Sequence, residues 1–491
     1  MRDQKTTIDG MLNAIKEGRI GGKVYFANPH GVVVGPSGKV NVGSLHVSTP
    51  SQRFVDDFFD APGGAEASAA ALVEGRAPRN TAAEIRIDGE VNATDQVGLS
   101  AGSITVGGKV LSGAKFAGGA PDFSDVVNVH GLATGGAVVE NQGRIEIVGD
   151  SGIELTGTVS SRRVNVGDDA SLRSGVSIAA SGDIALRAPT IRIGSGGKLL
   201  AAGSDTHAGG DVTLQAQAVG GTLDALSDTA ARIEASGATL TGRDLHLQAS
   251  AEHRSTLAPL VTKTTSATIE VDGSTLEASG RATLEATATA AIATPDVVPL
   301  AVVDVDVAAS VRVQGDTRIT SAGPARLGAT TTTTIDARPG LPDLGALPAD
   351  AGAAIVIADT TASVDLLGNA ELASTADKTE LVASNRTTVD AAVDASAAGS
   401  SAVGGSVAVS VVRSTTRART ADNARLAGKT GVGVHAQSDT RVTTSAKAAA
   451  GGASPQPAGT SKTEETLADY EDEASTSDGS VSVAAAVAVS D

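Results

Sequence analysis

The chain has 491 residues and a formal net charge of −18, with 58 glycines, no cysteine, no tryptophan and only 2% aromatic residues. The acidic balance disfavours nucleic-acid binding, which needs clustered lysine and arginine, and the lack of cysteine excludes disulfides and thiolate metal sites. Because the apolar residues are mainly Ala, Val, Ile and Leu rather than large rings, the composition favours many thin, similar layers, which is typical of a repeat protein.

Two short helices are predicted near the start of the chain. In residues 9–18 (DGMLNAIKEG) the apolar residues share one helical face. Residues 48–64 (STPSQRFVDDFFDAPGG) place Phe54 and Phe58 one helical step of four apart, after a Ser or Thr that would act as the N-cap. We expect this second helix to lie on the remaining fold as a lid.

Between these helices, residues 27–38 read ANPHGVVVGPSG, an unusual density of turn residues. Asn28 is expected to accept a hydrogen bond from its own backbone two residues later, Pro29 fixes φ, and Gly31 supplies a permissive corner. The next corner is predicted at Gly35, in the GPSG segment.

A repeated pattern of apolar, polar, apolar and then glycine follows, and it predicts short alternating strands that each end in a turn. Its members begin at intervals of roughly 20 residues, at Ile85, Ile104, Val127, Ile145, Val164 and Ile191. Either antiparallel hairpins in a sandwich or stacked coils in a solenoid would produce such spacing. The solenoid is favoured because one motif recurs in one orientation.

The second half of the chain repeats with a longer period. Its corner glycines Gly273, Gly315 and Gly368 are 42 and 53 residues apart, which we interpret as two or more coils per interval. About 17–20 coils stacked at about 4.8 Å predict a rod roughly 80–100 Å long.

A solenoid needs a cap over its first coil, because the end strands would otherwise expose unpaired backbone groups. Most of the large rings of this chain occur in its first 60 residues. The predicted cap aromatics are Tyr25, Phe26, Phe54, Phe58 and Phe59.

The segment GKVYFANPHGVVVGPSGKVNVGSLHVSTPS (22–51) resembles the secretion domain of filamentous haemagglutinin-type adhesins, which carry an Asn-Pro-Asn-Gly-(Ile/Val) turn. Asn28, Pro29 and Gly31 match that turn, and His30 stands in place of its second Asn. The strand that begins at Asn41 matches the strand after the turn. Later Ala/Val/Ser repeats resemble the leukotoxin-type branch of the same adhesins, so this weaker likeness extends over most of the chain.

The resemblance implies an all-β fold, a right-handed parallel β-helix with an N-terminal cap and short helices. It also implies a passenger of a two-partner secretion system, which an outer-membrane transporter partner exports. Outside the cell, the passenger would bind a receptor on host cells or other bacteria. The secretion and turn motif would comprise Asn28, Pro29, His30, Gly31, Gly35 and Asn41.

The same resemblance predicts a chain that is truncated at its N-terminus, since neither a signal peptide nor the first part of the secretion domain is present. No apolar run reaches the roughly 18 residues of a membrane-spanning helix, so no transmembrane segment is predicted. The predicted organisation is a partial secretion or capping domain at 1–80, a β-helix with short repeats at 81–260, a β-helix with longer repeats at 261–449, an acidic linker or loop at 450–478, and the start of a further repeat at 479–491.

Two alternatives to the adhesin remain at this point. The leukotoxin likeness leaves open a cytotoxic passenger. A carbohydrate-active β-helix enzyme would need paired carboxylates beside sugar-stacking rings, and aromatic residues are scarce after residue 60. Since the seven histidines are scattered and no catalytic motif is found, we predict no enzyme, no catalytic or metal site and no cofactor.

Overall fold

The structure is a computed structural model. It describes residues 4–17, 19–60, 68–69, 71–72, 77–112, 144–155, 158–161, 163–167, 172–174, 177–180, 182–201, 209–221, 228–256, 260–295, 298–339, 349–397, 403–450 and 483–490. The Val127 repeat, the linker at 450–478 apart from residue 450, and the side chain of Phe59 lie outside the described part.

Almost all of the described chain is β-strand. In chain order the elements are β1 (Thr6–Ile8), β2 (Met11–Asn13), β3 (Ile15–Lys16), β4 (Arg19–Ile20), β5 (Lys23–Ala27), β6 (Val32–Val34), β7 (Lys39–Ser48), α1 (Gln52–Asp60), β8 (Glu84–Ile87), β9 (Glu90–Val106), β10 (Lys109–Ser112), β11 (Arg144–Leu155), β12 (Thr158–Ser161), β13 (Arg163–Gly167), β14 (Leu172–Ser174), β15 (Ser177–Ala180), β16 (Ile184–Arg187), β17 (Thr190–Ile193), β18 (Lys198–Leu200), β19 (Val212–Gly220), β20 (Thr229–Ser236), β21 (Thr239–Gly242), β22 (Leu245–Ser255), β23 (Leu260–Asp272), β24 (Thr275–Ala278), β25 (Ala282–Ala293), β26 (Leu300–Gln314), β27 (Arg318–Ser321), β28 (Ala325–Ala337), β29 (Ala349–Leu366), β30 (Glu371–Ser374), β31 (Lys378–Ala397), β32 (Val403–Thr420), β33 (Arg425–Gly428), β34 (Gly431–Ala450) and β35 (Val483–Ser490).

These strands form a parallel β-helix, which confirms the predicted fold. From β12 onward each strand pairs in parallel with the strand three places later. The coil therefore has three faces: the first contains β14 and β17, the second β15 and β18, and the third β16 and β19. Nearer the start, β7, β9 and β11 bend around corners and contribute to more than one face.

Like side chains stack from coil to coil inside the helix. On the first face, Ile191, Ile233 and Ile269 occupy successive rungs and are 0% exposed. On the second face, Leu240 and Leu276 do the same. Burying each such side chain contributes about 1.5–3 kcal/mol, so the stack of apolar rungs holds the rod together.

The coil count is lower than predicted, because the coils of the second half are wider rather than more numerous. In the described part, twelve coils are complete and β35 begins a thirteenth. Gly273, Gly315 and Gly368 lie at one corner of successive coils, with φ of 53°, 68° and 68°. The interpretation of their spacing as two or more coils was therefore wrong. Twelve rungs at about 4.8 Å give a rod of roughly 58 Å.

The extra residues in these wide coils lengthen the first and third faces. β29 and β31 contain 18 and 20 residues, whereas β30 between them contains four. The extended parts of the two faces enclose a second apolar cluster, which includes Val303, Val356 and Val389. A hydrogen-bonded polar layer that includes Asn385 and Thr360 (2.9 Å) lies beside this cluster.

The predicted helix at 9–18 is wrong. This segment forms β2, which pairs with β7 and so closes the first coil, and it enters the β3–β4 hairpin. Pairing of the backbone with the next coil overrides the helical periodicity, because an unpaired strand edge on β7 would leave its N–H and C=O groups unsatisfied. The second predicted helix is confirmed as α1, and its N-cap is Ser51, whose Oγ accepts the Phe54 N–H at 3.3 Å.

Candidate functional site

The candidate site is the turn at Asn28–Gly31, which links the first coil to the second. Asn28 is buried, at 4% exposed, and its side chain holds the turn in two directions. Its Oδ1 accepts the His30 N–H at 2.9 Å, which is the bond two residues on that the sequence predicts. Its Nδ2 donates to the Gln4 carbonyl (2.9 Å) and the Thr6 hydroxyl (2.8 Å), so the turn is fastened to the start of the first coil.

Gly31 closes this turn in a conformation that other residues rarely adopt. Its φ is 109°, and its N–H donates to the Asn28 carbonyl at 3.1 Å. A Cβ at this position would lie 2.5 Å from the carbonyl oxygen of Glu84 in the next coil. Glycine is therefore required both by the backbone conformation and by the close approach of the following coil.

Pro29 and His30 differ in exposure. Pro29 is buried, and its carbonyl accepts a hydrogen bond from Asn80 Nδ2 at 2.7 Å. His30 is exposed, so its ring is the part of the predicted motif that a partner would meet first. Asn80 could not be predicted as a partner of Pro29, because it lies 51 positions later in the chain, beyond the whole α1 insertion.

Gly35 lies at the next corner, where its N–H donates to the Ile8 carbonyl at 2.9 Å and its own carbonyl accepts the Gly38 N–H at 2.7 Å. A Cβ on Gly35 would clash with the Asp9 carboxylate. This corner therefore stacks closely on the first coil, and it lies at the other end of β6 from the Asn28 turn.

Asn41 belongs to a ladder of buried asparagines on the second face. Asn13, Asn41 and Asn92 occupy successive rungs. Asn41 Nδ2 donates to Asn13 Oδ1 at 2.8 Å, and Asn92 Nδ2 donates to Asn41 Oδ1 at 3.0 Å. Asn41 is 0% exposed, so these amide bonds replace the water that it would otherwise bind. The signal that was overlooked is the recurring pair of an apolar residue and Asn, at Leu12, Val40 and Val91.

The predicted cap aromatics do not share one surface. Phe26 is half-buried and packs against the main core. Tyr25 points outward, is 41% exposed and stacks on the ring of His46 in the next coil, with ring centroids 4.8 Å apart and planes at 10°. Gly98 occupies the following rung, and a Cβ there would lie 2.9 Å from His46 Nδ1.

Helix α1 lies beside the third face, next to these outward rings. Its Phe54 and Phe58 line a cavity of about 380 Å³ together with Tyr25, Pro50 and Leu72. The helix therefore covers the flank of the first coils, which agrees with a lid on the solenoid. The structure brings Tyr25, Phe54 and Phe58 together, and it places Phe26 on the other side of the same strand.

The site offers turn geometry, exposed rings and an apolar cavity, and its described residues include no cluster of three or more His, Asp or Glu suited to a metal ion. No described helix is long and apolar enough to span a bilayer. In comparisons with known proteins, no family model, no curated protein and no solved structure matches this chain.

Proposed function

We propose that the chain is the passenger of a two-partner-type secretion system, a secreted filamentous adhesin that attaches to host cells or other bacteria. The observation that carries the proposal is the Asn28–Gly31 turn. Its residues resemble the signature of the haemagglutinin-type secretion domain, and the turn joins the first two coils of a parallel β-helix, the fold that the resemblance implies.

The rod supplies the mechanical part of this function. Nearly every described strand is paired on both sides within a continuous stack, so bending the rod would break many backbone hydrogen bonds at once. A stiff rod of roughly twelve rungs holds a binding surface away from the cell to which it is attached. The net charge of −18 keeps such rods apart and dispersed.

The partner in export would be an outer-membrane transporter that recognises the turn before or while the first coils form. Asn28 is buried by its own chain after folding, whereas His30 stays exposed. We therefore assign Asn28 and Gly31 to shaping the turn and the side chain at position 30 to contact with the transporter.

Export by the producing bacterium tests this assignment. The change His30→Asn restores the Asn-Pro-Asn-Gly turn on an exposed position, and export into the culture medium is expected to stay equal or rise. The change His30→Glu keeps the fold but alters the contact, and export should fall several-fold while the purified variant retains its circular dichroism spectrum. Equal export of His30→Glu and the parent would contradict the assigned contact.

Attachment is tested separately with purified protein. Beads coated with the chain are expected to bind epithelial cells or bacteria more than beads coated with an unrelated protein of similar negative charge. The same preparation is scored for lysis of leukocytes. Lysis without attachment would favour the cytotoxic passenger over the adhesin. If both attachment and lysis stay at the level of the control, both hypotheses are refuted.

A further inference from the structure

A charged groove runs along the corner between the second and third faces, far from the Asn28 turn. It has a volume of about 590 Å³ and is lined by the first residues of β19, β22, β25, β28 and β31 and the residues just before them. Four steps of about 4.8 Å separate its first rung from its last, so the groove is about 19 Å long and parallel to the rod axis. Such a shape fits an extended ligand rather than a compact one.

A ladder of aspartates leads into this groove, and its members Asp211 and Asp244 line it. The carboxylates of Asp183, Asp211 and Asp244 each accept the backbone N–H of the corner residue in the next coil, at 3.1, 3.2 and 2.6 Å. The last of these N–H groups belongs to Arg281. The corner residue after Arg281 is Pro324, which has no N–H to donate, so the ladder needs no carboxylate at position 281.

Arg281 therefore stands in the groove without a structural task. Its side chain is exposed, and its guanidinium makes no ion pair with any residue in the described ranges. Other cations of the groove are engaged: Arg326 pairs with Glu285 at 3.4 Å and Lys378 with Glu380 at 2.8 Å.

The neighbour of Arg281 on the following coil is uncharged. Pro324 occupies the same corner there, and its carbonyl accepts the Ala282 N–H at 3.1 Å. The side chains of Asp244 and Glu285 line the same groove. The groove therefore contains carboxylate acceptors as well as the guanidinium donors of Arg281.

We propose that this groove binds a linear oligosaccharide that carries carboxylate groups, such as a chain of uronic acids. The planar fork of Arg281 matches a carboxylate, and the oxygens of Asp244 and Glu285 accept hydrogen bonds from sugar hydroxyls. Polyphosphates present only acceptors, so they offer these carboxylates no hydroxyl donor. The inference rests on the proposed attachment function and gives it a ligand class.

Isothermal titration calorimetry of the purified full chain with tetragalacturonate at low salt tests the proposal. A neutral galactose tetramer of the same length is the ligand control. Arg281→Ala removes a charge-assisted contact and is expected to weaken tetragalacturonate binding about tenfold or more. Arg312→Ala is the matched control, since Arg312 is also an exposed arginine on a strand, but on the first face outside the groove. Its affinity should stay within about twofold of the parent.

Three results would overturn the groove assignment: no binding of tetragalacturonate by the parent chain, equal binding of the neutral tetramer, or equal weakening by Arg281→Ala and Arg312→Ala. Added salt is expected to weaken tetragalacturonate binding by the parent chain more than binding by the Arg281→Ala variant, because the arginine contributes the charge-dependent part of the affinity. Failure of this titration leaves the cell-attachment assay unaffected, so the two proposals fail separately.

Discussion

The buried asparagine ladder gives the sharpest test of how the first coils are held. Asn41→Ala removes two amide hydrogen bonds at once, those to Asn13 and Asn92. Asn92 is only 3% exposed, so water cannot replace its lost partner without entering the core. A buried polar group left unpaired costs about 1–3 kcal/mol, and because Asn13 is only half-buried and can bind water instead, the two losses together cost about 2–4 kcal/mol.

The matched control is a ladder of the same chemistry on the surface. Asn369 donates to Asp316 Oδ1 at 2.9 Å and accepts from Asn423 Nδ2 at 3.3 Å, but it is exposed. Asn369→Ala also loses two hydrogen bonds, and water takes their place. We expect it to cost no more than about 0.5 kcal/mol, the usual limit for a surface substitution.

Hydrogen exchange followed by mass spectrometry is the suitable assay, since a long repeat array does not unfold in one step and local opening is what changes. A loss of about 2 kcal/mol corresponds to roughly thirtyfold faster exchange. We expect this in the peptide that covers 39–48 for Asn41→Ala, and almost no change around position 369 for Asn369→Ala. Similar acceleration in both variants would refute the reasoning that burial makes the asparagine ladder strong.

Three further predictions concern the wide coils. Gly368→Ala places a side chain at φ 68° and should destabilise its coil by about 1–2 kcal/mol, measured by hydrogen exchange in the peptide that covers this corner, whereas Asp422→Gly at the equivalent corner should not destabilise it. Asp365 is 2% exposed and its two oxygens each bind an arginine at 2.8 Å, so Asp365→Ala should cost about 1.5–3 kcal/mol in the same assay, and a loss below about 1 kcal/mol would contradict it. Burial, and then the nearby Asp359, raise the pKa of Asp306 above its usual value, so ionised Asp306 destabilises the fold at neutral pH and this effect fades as pH falls through its folded pKa. Asp306→Asn should therefore raise the melting temperature at pH 7 and not at pH 3, and an equal rise at both would exclude the charge as the cause.

The local geometry of the turn was accessible from the sequence. Asn28, Pro29 and Gly31 determine their own backbone through short-range bonds and steric limits, so their arrangement was predicted correctly. The partners of that turn were not predictable, because Thr6 and Asn80 approach Asn28 and Pro29 only after successive coils stack. The stacking of Tyr25 on His46 depends on the same inter-coil register.

What the sequence determined by itself is the alternation of apolar and polar residues and the glycine corners, which recur in one orientation and therefore favour a solenoid over a sandwich of hairpins. The width of each coil was decided only by the tertiary structure. The 53 residues between Gly315 and Gly368 suit two narrow coils or one wide coil equally well by pattern. The chain adopts one wide coil because the lengthened first and third faces can then bury a second apolar cluster around Val303, Val356 and Val389. This burial stabilises the fold only when strands that are distant in sequence face each other, which the sequence pattern does not reveal.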